Sequence, residues 1–340
     1  MTNPKLLRAA VVGGGHLGRH HVRILSSLEG VELRALAEPR EDIGRELAGK
    51  YGCRWVPDRA GLETEVDFAV VAVPTSRHRE CAREFLRAGV ACLVEKPMAP
   101  DPQECRGILE DAQAGGALLG VGHVERFNPA FRRAMQLGIE PRFIEAHRLS
   151  PYPFRSTDVG VVLDLMIHDL DLVLAWTGRP LEWIDAVGGR VLSSTEDIVS
   201  ARLRFQGGLV ANLTASRLSL KPMRRFRVFG PDCYLSVDSR QRYALLVTQA
   251  PGFTPEALLA AQDAPDPREA FEGLLHTEEL TLDEDEPLRA ELEAFVSALR
   301  NGGPAPVSGE DGFRAVELAH KVLESMRGSL WNPGEETFLS

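Results

Sequence analysis

The chain has no apolar run long enough to cross a bilayer, which takes about 20 residues, and its opening, MTNPKLLRAA, lacks the apolar core of a secretory signal. Both absences set the expectation of a cytoplasmic protein without a membrane partner. Cysteine is sparse. Cys53, Cys81, Cys92, Cys105 and Cys233 are odd in number and lack the paired spacing of a zinc site, so they are read as reduced thiols rather than a disulfide framework. The clustered ligands of a catalytic zinc are missing too, and no metal is expected. Positive charge is in deficit overall: the formal net charge of -10 repels phosphate polymers and anionic lipid. No aromatic-rich recognition motif offsets it, which excludes nucleic acid as a partner class.

Acidic residues are absent from Ile198 to Pro231, where Arg202, Arg204, Arg217, Lys221, Arg224, Arg225 and Arg227 all occur. Upstream, Arg126, Arg132, Arg133, Arg142, Arg148 and Arg155 outnumber Glu140 and Glu145. The middle of the chain is therefore locally basic, and a small anionic ligand is compatible with it.

What is present begins with a strand and helix alternation that specifies a parallel sheet. LLRAAVV, VELRALA, VDFAVVAVP, the end of AREFLRAGVACLVEKP and ALLGVGH read as strands, with HLGRHHVRILSSL as the first helix. VDFAVVAVP is β-branched and unbroken, as in strands buried on both faces. At 340 residues two domains are expected, because one core rarely organises so long a chain. The pattern changes near His123, so the boundary is drawn there: residues 1–122 as a doubly wound α/β nucleotide-binding domain and 123–340 as an α+β domain. In the second domain FIEAHRLS, ARLRFQGGLVANLTASRL, RFRVFG and CYLSVDSRQRYALLVTQ read as strands joined by turns, which predicts an open, mostly antiparallel sheet. A helix is expected from about Val159 to Trp176, after cap candidates Ser156, Thr157 and Asp158 and before Gly178 and Pro180. ELEAFVSALRNGG and EDGFRAVELAHKVLESM predict two closing helices, which can pack back on the first domain.

VVGGGHLGRHH carries Gly13, Gly15 and Gly18 directly after the first strand and at the opening of the first helix. In a dinucleotide loop, the first glycine makes the tight turn. The second admits the pyrophosphate to the backbone, and the third lets helix and strand approach. His16 and Leu17 complete this loop. Glu38, at the end of the second strand, is placed to accept hydrogen bonds from the adenosine ribose, favouring NAD over NADP. Arg40 leaves the alternative of a 2′-phosphate open.

VACLVEKPMA puts Glu95, Lys96 and Pro97 at the carboxyl end of a strand, where such sheets hold ligands. In DVGVVLDLMIHDLDLVLAW, Gly160, Asp164, His168 and Asp171 form one stripe of an otherwise apolar helix. Ionisable groups on a buried helix must be paired or face a cavity. Asp164 can fix the tautomer of His168, leaving its other nitrogen to exchange a proton with substrate. The formal base, Lys96 or His168, is left open by spacing alone. His16, His20, His21, His123, His147, His276 and His320 are read as surface or packing residues, with His78 supporting the cofactor loop.

With VVGGGHLGRHH, VVAVPTSRH, VEKP, the stripe from Gly160 to His168 and PAPVSGEDGFRAVELA in this order, the chain resembles the Gfo/Idh/MocA oxidoreductase family over nearly its whole length. The resemblance implies a Rossmann domain, an open-sheet domain that supports a homodimer or homotetramer, and catalysis by Lys96, Asp164 and His168. It further implies that Pro74, Thr75, His78 and Glu95 line the nicotinamide side. GHVERFNPAF and HRLSPYPFRSTDVGVVLDLMIHDLDLVL are similar to the branch that oxidises the 3-hydroxyl of UDP-N-acetylglucosamine on the way to the 2,3-diamino sugars of lipid A. Members of that branch often carry an acid where this chain has Gly160. Arginines can clamp a diphosphate bidentately, so Arg126, Asn128 and Arg155 are the candidate sugar-nucleotide contacts, together with Lys96 and His168. Two other readings stand beside this one: a dehydrogenase of another sugar, inositol or sugar acid, and a dinucleotide-binding sensor without catalysis.

Overall fold

The computed structural model of the protein describes residues 6–152 and 159–331. They fall into two compact units, drawn from Met1–Phe127 with Asp285–His320 and from Asn128–Glu284 with Lys321–Ser340, so the chain passes between them three times.

The first unit opens with β1 (Leu7–Val12), α1 (Gly18–Leu25), β2 (Val31–Ala37), α2 (Glu41–Tyr51), β3 (Arg54–Val56), β4 (Phe68–Val71), α3 (His78–Arg87), β5 (Ala91–Glu95), α4 (Pro102–Gly115) and β6 (Leu119–Gly122). The strands form one parallel sheet in the order β3-β2-β1-β4-β5-β6. Strand order reverses between β1 and β4, which is where open α/β sheets bind ligands, outside the carboxyl ends of the strands. β4 and β5 are buried at every position, as their unbroken apolar sequences require. β4 is shorter than VDFAVVAVP suggests. Ala72, Val73 and Pro74 leave the sheet, and Thr75–Arg77 make a 3₁₀ turn that leads into α3.

The second unit holds α5 (Pro129–Gln136), β7 (Phe143–Leu149), α6 (Ile167–Thr177), β8 (Leu181–Gly189), β9 (Ile198–Phe205), β10 (Val210–Ser216), β11 (Met223–Phe229), β12 (Cys233–Asp238), β13 (Tyr243–Gln249), α7 (Pro255–Gln262), α8 (Pro267–Glu272) and β14 (Leu275–Glu279). After α9 (Pro287–Asn301) and α10 (Gly309–Ser325), β15 (Leu330–Trp331) adds an edge to its sheet. The order is β14-β13-β12-β11-β7-β10-β9-β8-β15. Only the β7–β10 and β8–β15 pairs are parallel among the described strands, so the sheet is mostly antiparallel, as the sequence suggested. α9 belongs to the first unit, where Leu292 and Phe295 join a core with Val11, Phe68, Val70 and Leu93. No described helix is long and apolar enough to cross a membrane.

One buried ion pair fixes α6 to the sheet. Arg148 on β7 donates from Nε and Nη2 to Asp169 on α6 at 3.1 and 2.8 Å, and both side chains are about 95% buried. Removing one partner of such a pair leaves an uncompensated buried charge, which costs roughly 3–5 kcal/mol. Arg148→Ala should therefore lower the unfolding free energy by about that amount, read as a lower denaturant midpoint in guanidinium titrations followed by circular dichroism.

Candidate functional site

The glycine loop between β1 and α1 is built from three positions with different steric demands. Gly13 has φ +102°, and a Cβ there would lie 2.4 Å from the Ala72 carbonyl oxygen. A Cβ on Gly18 would lie 1.9 Å from the Gly13 carbonyl oxygen, so helix and strand meet at van der Waals contact only because hydrogen occupies that place. A Cβ on Gly15 would meet nothing within 4 Å among the described residues. The fold demands glycine at the first and third positions and leaves open space at the second, where a dinucleotide's pyrophosphate would approach. His16 and Leu17 are exposed beside it.

Glu38, 2% exposed, accepts from the Gly14 N–H at 2.6 Å and from Arg40 through its backbone N–H at 3.1 Å, Nε at 2.6 Å and Nη2 at 3.1 Å. Burial opposes its ionisation, but the hydrogen bonds from Arg40 and Gly14 outweigh that and hold its pKa below the usual carboxylate range. A carboxylate is thus fixed at the end of β2, and Arg40 is bound to it. That arrangement fits a ribose with free hydroxyls better than one bearing a phosphate. The loop and the carboxylate together suit NAD.

At the other strand ends, Pro74 is exposed and Thr75 buried. His78 is buried, with Nε2 2.9 Å from the Val73 carbonyl oxygen and Nδ1 3.0 and 3.2 Å from those of Pro97 and Met98. It ties the turn after β4 to the turn after β5, and burial lowers its pKa. Glu95 is buried beneath the partly exposed Lys96 and pairs with His21 on α1, Nε2 to Oε1 at 2.6 Å. Sequence reasoning missed this partner: His21 falls three residues past Gly18 on a helix with other histidines, and nothing local marks it as buried.

In the second unit, the residues from Val162 to Met166 form a wide π-type turn before α6, where a regular helix was expected. Such turns recur at functional sites because they re-aim side chains. The cap candidates Ser156, Thr157 and Asp158 lie outside the described residues. α6 ends at Gly178, whose φ of +59° supplies the left-handed cap. From Gly160 to Val173, only Asp164, Leu165 and His168 escape full burial, so the two ionisable groups share the one accessible strip. The entrance to this turn is clamped. Arg217, 1% exposed, donates to Asp197 at 2.7 Å, Thr195 at 2.8 Å and the Val159 carbonyl at 3.1 Å. Asp197 also accepts the N–H groups of Val191, Leu192 and Ser193, and these bonds overcome burial and keep it ionised.

Next to it, Glu196 accepts the Val162 N–H at 3.1 Å. A Cβ on Gly160 would lie 1.9 Å from its Oε1. The Glu196 carboxylate, supplied from another loop, thus occupies the place that a side chain at position 160 would take.

The candidate sugar-nucleotide contacts fare differently. Arg126 lies 3.5 Å from Asp311 and is 15% exposed, so part of its charge is engaged. Asn128 caps α5, accepting from the Ala130 N–H at 3.1 Å and donating to the Ser239 carbonyl at 3.2 Å. Arg155 lies outside the described residues. Part of the local basic excess is engaged in ion pairs, with Arg148, Arg217 and Arg227 pairing with Asp169, Asp197 and Glu145, while Arg142, Arg202, Arg204, Lys221 and Arg224 are exposed. Lys96 belongs to the first unit, Asp164 and His168 to the second. The described residues contain no group of three or more His, Cys, Asp or Glu that could hold a metal.

Two family models match the chain: an oxidoreductase family described by its NAD-binding Rossmann fold, over residues 7–123, and the GFO/IDH/MocA C-terminal domain, over residues 136–236. The UDP-N-acetylglucosamine 3-dehydrogenase of Acidithiobacillus ferrooxidans is 34% identical over 333 residues, covering 95% of this chain and 98% of that protein. The inositol 2-dehydrogenase of Rhizobium meliloti is 24% identical over 337 residues, covering 94% and 97%. A solved structure of the Acidithiobacillus enzyme superposes with a TM-score of 0.85 at 33% identity, covering 95% of this chain and 98% of that one. A levoglucosan dehydrogenase in complex with NADH shares the fold, with a TM-score of 0.81 at 16% identity and coverage of 96% and 98%.

The steric difference between the loop glycines gives a direct test. Gly18→Ala should cost about 1–3 kcal/mol of stability through overpacking, whereas Gly15→Ala should melt within about 0.5 kcal/mol of wild type yet bind NADH more weakly. Thermal melts and fluorescence titration with NADH separate the two effects.

Proposed function

The chain belongs to the Gfo/Idh/MocA oxidoreductase family, and on that premise we propose that it oxidises the 3-hydroxyl of a UDP-linked N-acetylglucosamine to a ketone, with NAD⁺ as acceptor. The observation that carries the reaction is the accessible strip on which Asp164 and His168, with Leu165, escape the burial of every other residue from Gly160 to Val173. Ionisable groups kept at such a strip need a task that offsets their cost, and proton transfer is one. The substrate assignment is supported by the 34% identity, over nearly the full length of both chains, to an enzyme named for that sugar nucleotide.

Oxidation removes a proton from the hydroxyl oxygen and a hydride from its carbon, leaving the ketone. A bound NAD⁺ would supply the hydride acceptor. His168, oriented by Asp164, takes the hydroxyl proton, and Lys96 hydrogen-bonds the same oxygen as charge builds on it. Glu38 holds the adenosine ribose, and the open face of Gly15 admits the pyrophosphate. For the sugar nucleotide's own diphosphate, Arg155 is the proposed contact. Arg126 can join it by exchanging Asp311 for phosphate oxygens, while Asn128 acts by capping the helix that follows.

A second substrate class, a free inositol or related polyol, is favoured by the inositol 2-dehydrogenase relative that matches 94% of the chain. Incubation with NAD⁺ and either UDP-N-acetylglucosamine or myo-inositol, following NADH absorbance, decides between them. The product's oxidised carbon, located by NMR, then fixes the position. Lys96→Ala and His168→Ala should each lower kcat by roughly 10²–10⁴-fold while NADH affinity stays close to that of wild type. Wild-type turnover in both variants rejects the mechanism, and tight NADH binding without turnover on any sugar leaves the sensor reading.

A further inference from the structure

Asp164 and His168 sit on a segment of unusual geometry. The Ile167 N–H reaches the Val162 carbonyl, five residues back, where a regular helix would reach four. In a regular helix each residue turns by about 100°, so a side chain four places on overshoots its predecessor by about 40°. A wider turn advances less per residue and shrinks that offset. The π-type turn from Val162 to Met166 thus brings Asp164 closer to the line of His168 on the accessible strip.

Such turns are rare and short, and this one is held at both ends. Beyond its carboxyl end, Arg148 on β7 grips Asp169. At its amino end the holding group is Glu196, 8% exposed in the loop between β8 and β9. The Glu196 backbone carbonyl accepts the Val161 N–H at 3.1 Å, and its Oε1 accepts the Val162 N–H at 3.1 Å. One residue therefore takes two consecutive donors of the first turn, where a helix has no acceptors of its own. Gly160 makes the room, since a Cβ there would lie within 2.2 Å of the Glu196 carboxyl carbon and of both its oxygens. The loop that presents Glu196 is itself fixed. The next residue, Asp197, accepts from the N–H groups of Val191, Leu192 and Ser193 and from Arg217, while its own N–H donates to the Gly189 carbonyl at 2.8 Å.

We propose that Glu196 is a positioning residue for the proton transfer: by capping the amino end of the wide turn, it keeps Asp164 in line with His168. The grip needs an acceptor oxygen at one place and does not depend on charge. This rests on the reaction proposed above and adds to it a residue that acts through Asp164 rather than on the sugar.

Steady-state kinetics with NAD⁺ and UDP-N-acetylglucosamine, together with the imidazole NMR signals of His168, test the assignment; those signals are the ones lost in His168→Gln. Glu196→Ala removes the Oε1 contact. It should lower kcat by roughly 10–10²-fold with KM and NADH affinity unchanged, and it should shift the His168 signals. Glu196→Gln keeps an acceptor oxygen for the Val162 N–H and should keep the kcat and the signals of wild type. Gly160→Ala retains every hydrogen-bonding group but pushes the carboxylate aside, so it should reproduce the loss of Glu196→Ala. In the double variant the two losses should not add, because both act through one displacement. Should Glu196→Ala fail to fold by circular dichroism, Gly160→Ala carries the test. A merely structural role predicts lower melting temperatures with kcat per folded molecule and the His168 signals unchanged. That pattern overturns the proposal, as does a Glu196→Gln variant as slow as Glu196→Ala. Absence of turnover by the wild type on any sugar overturns the reaction proposed above, and the His168 signals of the three variants then decide by themselves whether Glu196 sets the position of the strip.

Discussion

The orientation of the helix carrying Asp164 and His168 depends on the buried contact between Arg148 and Asp169. A helix that is apolar on nearly every side, as the sequence from Val161 to Trp176 is, has no clear hydrophobic stripe to choose which face meets the sheet. Hydrophobic burial alone would be almost indifferent to its rotation. A bidentate guanidinium–carboxylate pair is not, because two parallel hydrogen bonds form at one rotation and are lost at others. With Asp169 turned to β7, its neighbour His168 and the preceding Asp164 come to the strip that keeps access to solvent. Buried ion pairs often add little to stability, but they can select one arrangement among several of similar apolar burial.

The same logic extends to the turn before α6. The Arg217 and Asp197 cluster holds the Val159 carbonyl, and Glu196 holds the Val162 N–H, so the chain enters the π-type turn from a fixed position. Two of the arginines that look like an anion-binding surface when counted along the chain, Arg148 and Arg217, are internal fasteners. Arginine suits this role because its planar fork can serve two or three acceptors at once, as Arg217 does. Lys96, with a single flexible ammonium, is the different case: its backbone is fixed through Glu95 while its side chain keeps partial exposure.

The fold was legible wherever a local rule had no competitor. VELRALA is β2 from end to end; Gly13, Gly15 and Gly18 sit in the strand-to-helix context that gives them meaning; Gly207 and Gly208, both with positive φ, turn β9 into β10. The chemistry of the strip was legible as composition, because Asp and His are anomalous in so greasy a segment. Its geometry was not. A π-type turn leaves no periodic mark in five residues, and a spacing argument that assumes 3.6 residues per turn cannot register it. His21 was missed for a related reason: its partner is 74 residues away, and burial of a polar group is a property of the pair. Asn128 and Arg126 were legible as polar residues but not as a helix cap and an ion-pair partner, since both uses depend on where Ala130 and Asp311 finally lie.

Glycine gives a way to separate what the chain fills for itself from what it leaves for a ligand. At Gly18 the missing side chain's place is taken by the Gly13 carbonyl, at Gly122 by the Glu95 carboxylate, and at Gly160 by the Glu196 carboxylate. In each case the protein's own backbone or charge occupies the volume, and the glycine is a requirement of packing. Gly15 is the exception within the loop, because nothing described lies where its side chain would be. Its φ lies outside the left-handed region, so backbone conformation does not demand glycine there either. Gly15 thus leaves the space beside the loop backbone open between two glycines that packing requires, which suits the approach of a dinucleotide's pyrophosphate.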